Sequence, residues 1–400
     1  MKQCYLIFIL LSGLLLIARL AHGQDTLQLE QVNFYYGSSG FEIISADGKY
    51  RLNLQSRFQL RFATPGDQNS LTLEDYTEAD KRVFKVNRAR FKVRGHAYRP
   101  WFKYYWEYEL SRGNLLDFRI MLEKWPFLKL RMGQYKVLYS RERSISSGGQ
   151  QLVDRSIINR PFTLDRQQGI ELHGRVWPGR VTDFYYNLGV FTGTGRGTDT
   201  NDDRSLMYVG RLQWNVFGRM MEMEASDVYR HQKPVGSISA AAATNRSPFT
   251  RFSQAGGGQL EGFAEAADTG RYRVKQWVGE SALMYRGFSW QQEYHRKYVH
   301  DLVAGRDVTL SGYYMQAGYF VGEAIGWFPD MLEVAARYAR FRPDVTFDNN
   351  REEEFTVCLN YFISGHRNKV STELSRFEVQ GNGPDLKEGY RFRVQLDVSI

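Results

Sequence analysis

The sequence predicts an all-β protein, a transmembrane antiparallel β-barrel of about sixteen strands, with long extracellular loops at one end and short periplasmic turns at the other. Three observations carry that expectation. Strand-length segments alternate between an apolar face and a polar, often basic one. The connections between them alternate in length. An N-terminal leader is followed by no apolar run near the roughly 20 residues that a membrane-spanning helix needs, and the other structure that satisfies its backbone in lipid is a closed barrel.

The chain has 400 residues. Lys2 supplies a positive start, residues 5–17 are apolar apart from Ser12 and Gly13, and Ala21-His22-Gly23 is a small-x-small cleavage site. Residues 1–23 therefore read as a signal peptide cut after Gly23, since the apolar run is too short for an anchor. Cys4 lies inside that run, far from the cut, so no lipoprotein is expected. Cys358 is the one cysteine left, and no intramolecular disulfide forms. The formal net charge of +9 suits an anionic solute, lipopolysaccharide or an acidic polymer. Export argues against nucleic acid. Aromatic residues make up 15% of the chain, enough to furnish interfacial belts. Residues 24–47 read as an N-terminal periplasmic segment, and 48–400 as the barrel.

The first strand, residues 48–63, is GKYRLNLQSRFQLRFA. Leu52, Leu54, Phe58, Leu60 and Phe62 share one face; Arg51, Asn53, Gln55, Arg57, Gln59 and Arg61 share the other. A soluble sandwich would bury the apolar face. A barrel in lipid would turn it outward and put the arginines in the lumen. The second strand, 85–97, sets Ala89, Phe91 and Val93 against Arg88, Arg90, Lys92, Arg94 and His96. The third, 102–110, has Lys103, Tyr105, Glu107 and Glu109 on its polar face, and the fourth, 116–122, has Asp117, Arg119 and Met121, followed by Glu123. Lys129 and Arg131 mark the fifth, 128–135. The pattern resumes at 170–176, 181–191 and 206–216, is weaker at 220–229, and continues at 272–285, 288–298, 312–321, 331–340, 354–362, 370–377 and 390–400. Residues 236–258, with four alanines at 240–243, read as a flexible loop.

The connections then fix the topology. After odd-numbered strands they are mostly long: 64–80, 136–167, 192–204, 230–271, 299–308, 341–353 and 378–388. After even-numbered strands they are mostly short: 98–100, 124–126, 177–180, 218–219, 286–287 and 363–368. The connections at 112–115 and 322–330 break the parity. Tyr98, Trp101, Trp125, Trp177, Phe217 and Phe288 flank the short turns and read as an aromatic girdle. Parity and leader together place the chain in the outer membrane of a Gram-negative bacterium.

Two features carry candidate chemistry. Arg51, Arg57, Arg61, Arg88, Arg90, Lys92 and Arg94 share one face of two neighbouring strands, with Lys103 on the third. Those first two runs contain no inward acid, so an unneutralised basic strip is expected, opposite the bland reading of an interior salt-bridge lattice. Guanidinium forks match phosphate and carboxylate geometry, and a file of them along a pore gives anion selectivity. The second feature is residues 136–167, which carry Arg141, Arg143, Arg155, Arg160 and Arg166 with Glu142, Asp154 and Asp165. Its apolar content (Leu138, Ile145, Leu152, Val153, Ile157, Ile158, Phe162) suits a packed loop that folds into the lumen and narrows it. HExxH, GxSxG and P-loop signatures are absent, and Gly193-Thr194-Gly195-Arg196-Gly197 lies between strands rather than before a helix. No enzyme, cofactor or metal site is expected.

Residues 40–62 (GFEIISADGKYRLNLQSRFQLRF), 87–110 (NRARFKVRGHAYRPWFKYYWEYEL), 130–142 (LRMGQYKVLYSRE), 312–320 (GYYMQAGYF) and the arginine-rich closing strand resemble the phosphate-selective porins O and P. The resemblance covers most of the chain after the leader. It implies a sixteen-stranded homotrimer with the third loop folded inward and a lumen lined by arginine and lysine that passes phosphate-like anions. The terminal Ile400 departs from the family, whose barrels usually end in Phe. The expectation is passive diffusion of small anions, phosphate or related oxyanions, through an arginine- and lysine-lined channel. A general or carbohydrate-admitting porin, relying on Tyr105, Tyr135 and Tyr185, is the alternative of the same class. A secreted β-rich binding protein is the alternative of another.

Overall fold

Segments in which apolar and polar residues alternate are held extended, with their two faces committed to different surroundings. The computed structural model describes residues 32–37, 40–67, 82–197, 201, 204–253, 256–264, 271–381 and 386–400. The expected signal peptide and most of the connection 64–80 lie outside the described residues. Two short strands, β1 (Asn33–Gly37) and β2 (Gly40–Ile44), come first. They precede β3 (Arg51–Thr64), β4 (Val83–His96), β5 (Phe102–Glu109), β6 (Asn114–Trp125) and β7 (Leu128–Lys136). Next come β8 (Arg166–Val176), β9 (Phe184–Phe191), β10 (Met207–Asn215) and β11 (Val235–Ser247). A small separate ribbon, β12 (Arg251–Ser253) with β13 (Gly256–Gly258), follows. The rest are β14 (Tyr272–Tyr285), β15 (Phe288–Asp301), β16 (Arg306–Phe320), β17 (Leu332–Arg342), β18 (Arg351–Ser364), β19 (Asn368–Gln380) and β20 (Leu386–Ser399).

From β3 to β20, leaving out the ribbon, each strand pairs antiparallel with the next. β20 returns to β3, with Phe392 opposite Thr64 and Ser399 opposite Arg57, and closes a sixteen-strand barrel. Burial then decides which face is which. Phe58 and Leu60 are each 37% exposed, whereas Arg57 and Arg61 are 4% and 2% exposed. That is the reverse of a soluble sandwich and is the arrangement of a barrel in lipid, apolar outside and polar within. Tyr98, Trp101, Trp125, Trp177 and Phe217 are exposed at the short-turn end and Phe288 is half-buried.

The seam of the barrel is built from both ends of the described chain. β20 covers only the long-loop half of β3, and the exchange between Ser56 and Ile400, at 2.9 Å in each direction, ends that ladder. β2 takes the remaining edge, Phe41 opposite Leu54 and Ile44 opposite Arg51. The hairpin β1–β2 thus satisfies backbone groups of β3 that the closing strand leaves open.

One expectation fails. Residues 220–229 form no strand; the barrel strand lies further on, β11, inside the stretch read as a flexible loop. Ser237, Ser239, Ala241, Ala243, Asn245 and Ser247 face inward, and Ile238, Ala240, Ala242 and Thr244 face outward. Alanine on both faces erases the hydropathy alternation, and its low strand propensity hides the rest. Neighbours supply the missing bulk: Leu212 stands opposite Ala240 and Trp277 opposite Ala242. The connection from β10 to β11 is therefore long although it leaves the short-turn end.

Candidate permeation site

The ladder between β3 and β4 sets Arg57 directly opposite Arg90, Gln59 opposite Arg88, Gln55 opposite Lys92 and Asn53 opposite Arg94. Such a concentration of inward cations requires water, acids or anions nearby. At mid-barrel the acids arrive from distant parts of the chain. Arg57 pairs with Asp397 of β20 at 2.5 Å. Arg61 pairs with Asp67 at 3.1 Å and Asp154 at 3.0 Å, and both its Nε and Nη2 reach Gln395. Arg88 donates to Gln59 at 2.7 Å and lies 3.9 Å from Asp154. Arg90 is held by Glu107 at 2.9 Å and Glu109 at 2.8 Å, both from β5. The expected unneutralised strip is thus corrected over this stretch: Arg57, Arg61, Arg88 and Arg90 belong to an ion-pair lattice.

Nearer the short turns the same face stays wetter. Arg94 is exposed and donates to a neutral partner, Asn53, at 2.9 Å; Lys92 is partly exposed beside it. Lys103 pairs with Glu123 at 2.8 Å, and Arg51 pairs with Glu42 of β2 at 2.6 Å. Arg119, stacked 4.4 Å from the Tyr105 ring, and Lys129 and Arg131 on β6 and β7 extend the basic surface. These last three were legible as inward positions by alternation but stood outside the expected site.

Residues 137–165 pack against the opposite wall. Ser140 accepts from the Arg143 amide at 3.2 Å and starts a one-turn helix, α1 (Arg141–Ser144). A second turn, α2 (Asn159–Phe162), precedes β8. Ile145, Leu152, Val153, Ile158 and Phe162 are buried. Five strands of the wall each offer one inward glutamate, and all of them hold the loop. Glu280 accepts from the Arg141 amide at 2.9 Å and Glu293 from the Glu142 amide at 2.6 Å. Glu354 accepts from the Ile157 amide and Glu373 from the Val153 amide, both at 2.9 Å. Glu333 takes the Gln151 side chain at 2.6 Å. Charged acceptors make these among the stronger hydrogen bonds available. The five glutamates were not singled out from sequence, although each sits at the inward phase of its strand.

The loop's own arginines are absorbed by this packing. Arg141 donates to the Glu224 carbonyl at 2.6 Å. Arg143 pairs with Asp165, and Arg166 with Asp117 at 2.5 Å. Arg155 donates to the carbonyls of Glu142 at 2.9 Å and Ile145 at 2.7 Å. Arg160 lies half-buried in α2. Burial works to raise the Asp165 carboxyl, but Arg143 and Arg166 hold it below the usual range. Glu142 goes the other way: burial lifts it to about 7, with Arg337 opposing and Glu293 reinforcing the rise. Gly148 lies directly on Arg57, where a Cβ would stand 2.2 Å from Cζ, and Ser146 and Ser147 accept from the same guanidinium at 3.3 and 3.4 Å.

A second segment meets this loop from the other end. Residues 216–234 leave the short-turn end of β10, and Met221, Ala225, Ser226 and Asp227 are buried. The Ala225 amide donates to the Gly149 carbonyl at 2.9 Å, and Ser226 donates to Glu333 at 2.9 Å. Asp227 anchors the turn through the Gly287 amide at 2.8 Å and His231 at 2.5 Å. The lumen is thereby filled along β14–β19 and is wettest along the short-turn half of β3–β7.

A closed sixteen-strand antiparallel barrel with a lipid-facing apolar exterior and a charged interior is an outer-membrane porin. Residues 58–388 match the family Phosphate-selective porin O and P, and the chain belongs to that family. An uncharacterised protein of Aquifex aeolicus is 26% identical over 276 residues, 61% of this chain and 59% of that protein. Among solved structures, a loop-deleted OmpT of Vibrio cholerae has a TM-score of 0.58 at 8% identity, over 88% of this chain and 100% of that one. The anion-selective porin of Comamonas acidovorans has a TM-score of 0.54 at 12% identity, over 88% and 99%. The channel DcaP of Acinetobacter baumannii has a TM-score of 0.52 at 12% identity, over 89% and 99%. At these identities the three structures speak for the fold.

Proposed function

We propose that the protein works as a homotrimer that passes small anions, phosphate or related oxyanions by preference, across the outer membrane by passive diffusion. The observation that carries this reading is the division of the basic wall. Arg57, Arg61, Arg88 and Arg90 are spent on carboxylates and on the loop, whereas Arg94, Lys92 and Lys129 line the part of the lumen that stays wet, beside Arg119 and Arg131, which pair with Asp117 at 3.3 Å and Glu171 at 3.7 Å. Membership of a phosphate-selective family and the fold shared with an anion-selective porin support the same reading. Guanidinium and ammonium donors replace part of an anion's hydration, several times in succession and weakly enough for release. No step needs a cofactor. Of the side chains a carbohydrate reading relies on, Tyr135 is buried, while the half-buried Tyr105 donates to Glu107 at 2.8 Å and the half-buried Tyr185 is bonded to His173 at 2.7 Å. Competition of chloride current in planar bilayers tests it. Millimolar phosphate is expected to reduce the chloride current while maltose at the same concentration leaves it unchanged; the opposite order sinks phosphate preference.

A further inference from the structure

We infer that residues 192–197 form a second inward loop and that Arg196, at its tip, meets anions entering from the long-loop end; the inference rests on the anion-passing reading above. The segment leaves β9 at Phe191, and its first residue still continues the ladder, the Thr192 amide donating to the Gln168 carbonyl at 2.9 Å. It then turns into the barrel mouth and docks on side-chain amides from three strands. Asn245 of β11 donates to the Gly193 carbonyl at 3.1 Å. Gln167 of β8 accepts from the Gly195 amide and Gln134 of β7 from the Gly197 amide, both at 2.8 Å. Gly193, Thr194 and Gly195 are buried, Arg196 is half-buried and Gly197 is exposed. The docking needs glycine. Gly193 has φ 83°, and a Cβ there would stand 2.4 Å from Asn245 Oδ1; Gly195 has φ 104°. The Gly-Thr-Gly-Arg-Gly run is therefore a means of holding one arginine at the lumen entrance.

The charges around Arg196 say what it is free to bind. Those that bear on it are Arg166, Asp165, Arg112 and Arg90, three cations and one acid. Arg166, Asp165 and Arg90 are already committed. Arg166 pairs with Asp117 at 2.5 Å and lies 3.5 Å from Asp165, which also holds Arg143. Arg90 is held by Glu107 and Glu109. Arg112, in the connection from β5 to β6 at the same end of the barrel, is exposed. Among the described residues no acid stands within ion-pair distance of Arg196 or Arg112. A half-buried guanidinium among like charges lacks the partner that would repay its lost hydration, and a small oxyanion supplies it. Forks from Arg196 and Arg112 suit the oxygens of such an ion. Because neither is tied to a carboxylate, no ion pair has to open when an anion arrives, in contrast to Arg166 and Arg90. A cation so placed raises the local anion concentration and the rate of entry. Lys92 and Arg94 lie nearer the short turns, so Arg196 governs entry from one side and leaves the sign of the selectivity to them.

Block of single-channel chloride current by millimolar phosphate, added to each side of the same full-length channel in turn, tests the inference without knowledge of the channel's orientation. Wild type is expected to be blocked faster from one side than from the other. Arg196→Gln is expected to slow block from the faster side roughly fivefold and to leave the slower side within about twofold, so that the difference between the sides is lost. Arg180→Gln, which removes an exposed cation at the short-turn end, leaves the faster rate unchanged. Should Arg196→Gln lose its heat-modifiable migration, Arg112→Gln decides, with an expected loss of about threefold on the same side. An effect of folded Arg196→Gln no larger than that of Arg180→Gln overturns the inference, as does equal slowing from both sides or block of wild type at the same rate from both. A wild-type channel that phosphate blocks from neither side sinks the phosphate reading itself, and the role of Arg196 with it.

Discussion

Arg57 and Arg94 sit on the same inward face and differ in what surrounds them. Arg57 is covered by Ser146, Ser147 and Gly148 and faces Asp397, whose side chain is fully buried. Removing one partner of such a pair leaves an uncompensated buried charge. Arg57→Met is therefore expected to lower the free energy of unfolding by about 3–5 kcal/mol, and Arg57→Met/Asp397→Leu to recover most of it. Urea unfolding in detergent, followed by tryptophan fluorescence, measures both; a single variant as stable as wild type contradicts the pairing. Sequence alternation placed both arginines on the lumen face. What it left hidden was the partner of Arg57, because Asp397 lies at the other end of the chain and meets β3 only when the barrel closes. Arg94 has Asn53 across the ladder and keeps its charge available to solvent.

At the scale of elements, residues 137–165 behave as a rigid insert fastened to five wall glutamates, four through backbone amides and the fifth, Glu333, through the Gln151 side chain. Glu142 is the titrating group within it. Its carboxyl accepts from the Ser156 amide at 2.7 Å and hydroxyl at 2.9 Å, with Arg337 at 3.9 Å. Because burial lifts it to about 7, it is mostly neutral at pH 6 and mostly ionised at pH 8. Raising the pH across that window adds a negative charge to the insert, so the anion-to-cation permeability ratio is expected to fall. Glu142→Gln removes the change; a variant that keeps the full pH dependence assigns it to other groups. The loop's length, arginines and apolar residues were readable in sequence, whereas its anchors needed the register of β14–β19. Residues 216–234 misled for a physical reason: Met221, Glu222, Met223 and Glu224 alternate like a strand, yet Met221 is buried against Val235, Ala282 and Met284 of the wall and the Ala225 amide bonds the loop at Gly149. The true strand, β11, was masked by alanines at 240–243.

For the whole molecule, the two walls divide the labour. Glutamates on β14–β19 dock the insert, and the basic residues of β3–β7 border the wetter side of the lumen. Loop-length parity and face alternation were enough to read the barrel because both follow from the membrane, which treats every strand alike. The asymmetry of the lumen was not readable, since it depends on which side the insert leans against. The central claim is that Lys92 and Arg94, rather than the ion-paired arginines above them, set the sign of the selectivity. Reversal potential across a tenfold KCl gradient in planar bilayers tests it most directly. Wild type is expected to reverse on the anion-selective side, and folded Lys92→Glu/Arg94→Glu to move toward or past zero. A wild-type channel that reverses on the cation side, or a double variant with an unchanged reversal potential, contradicts the account.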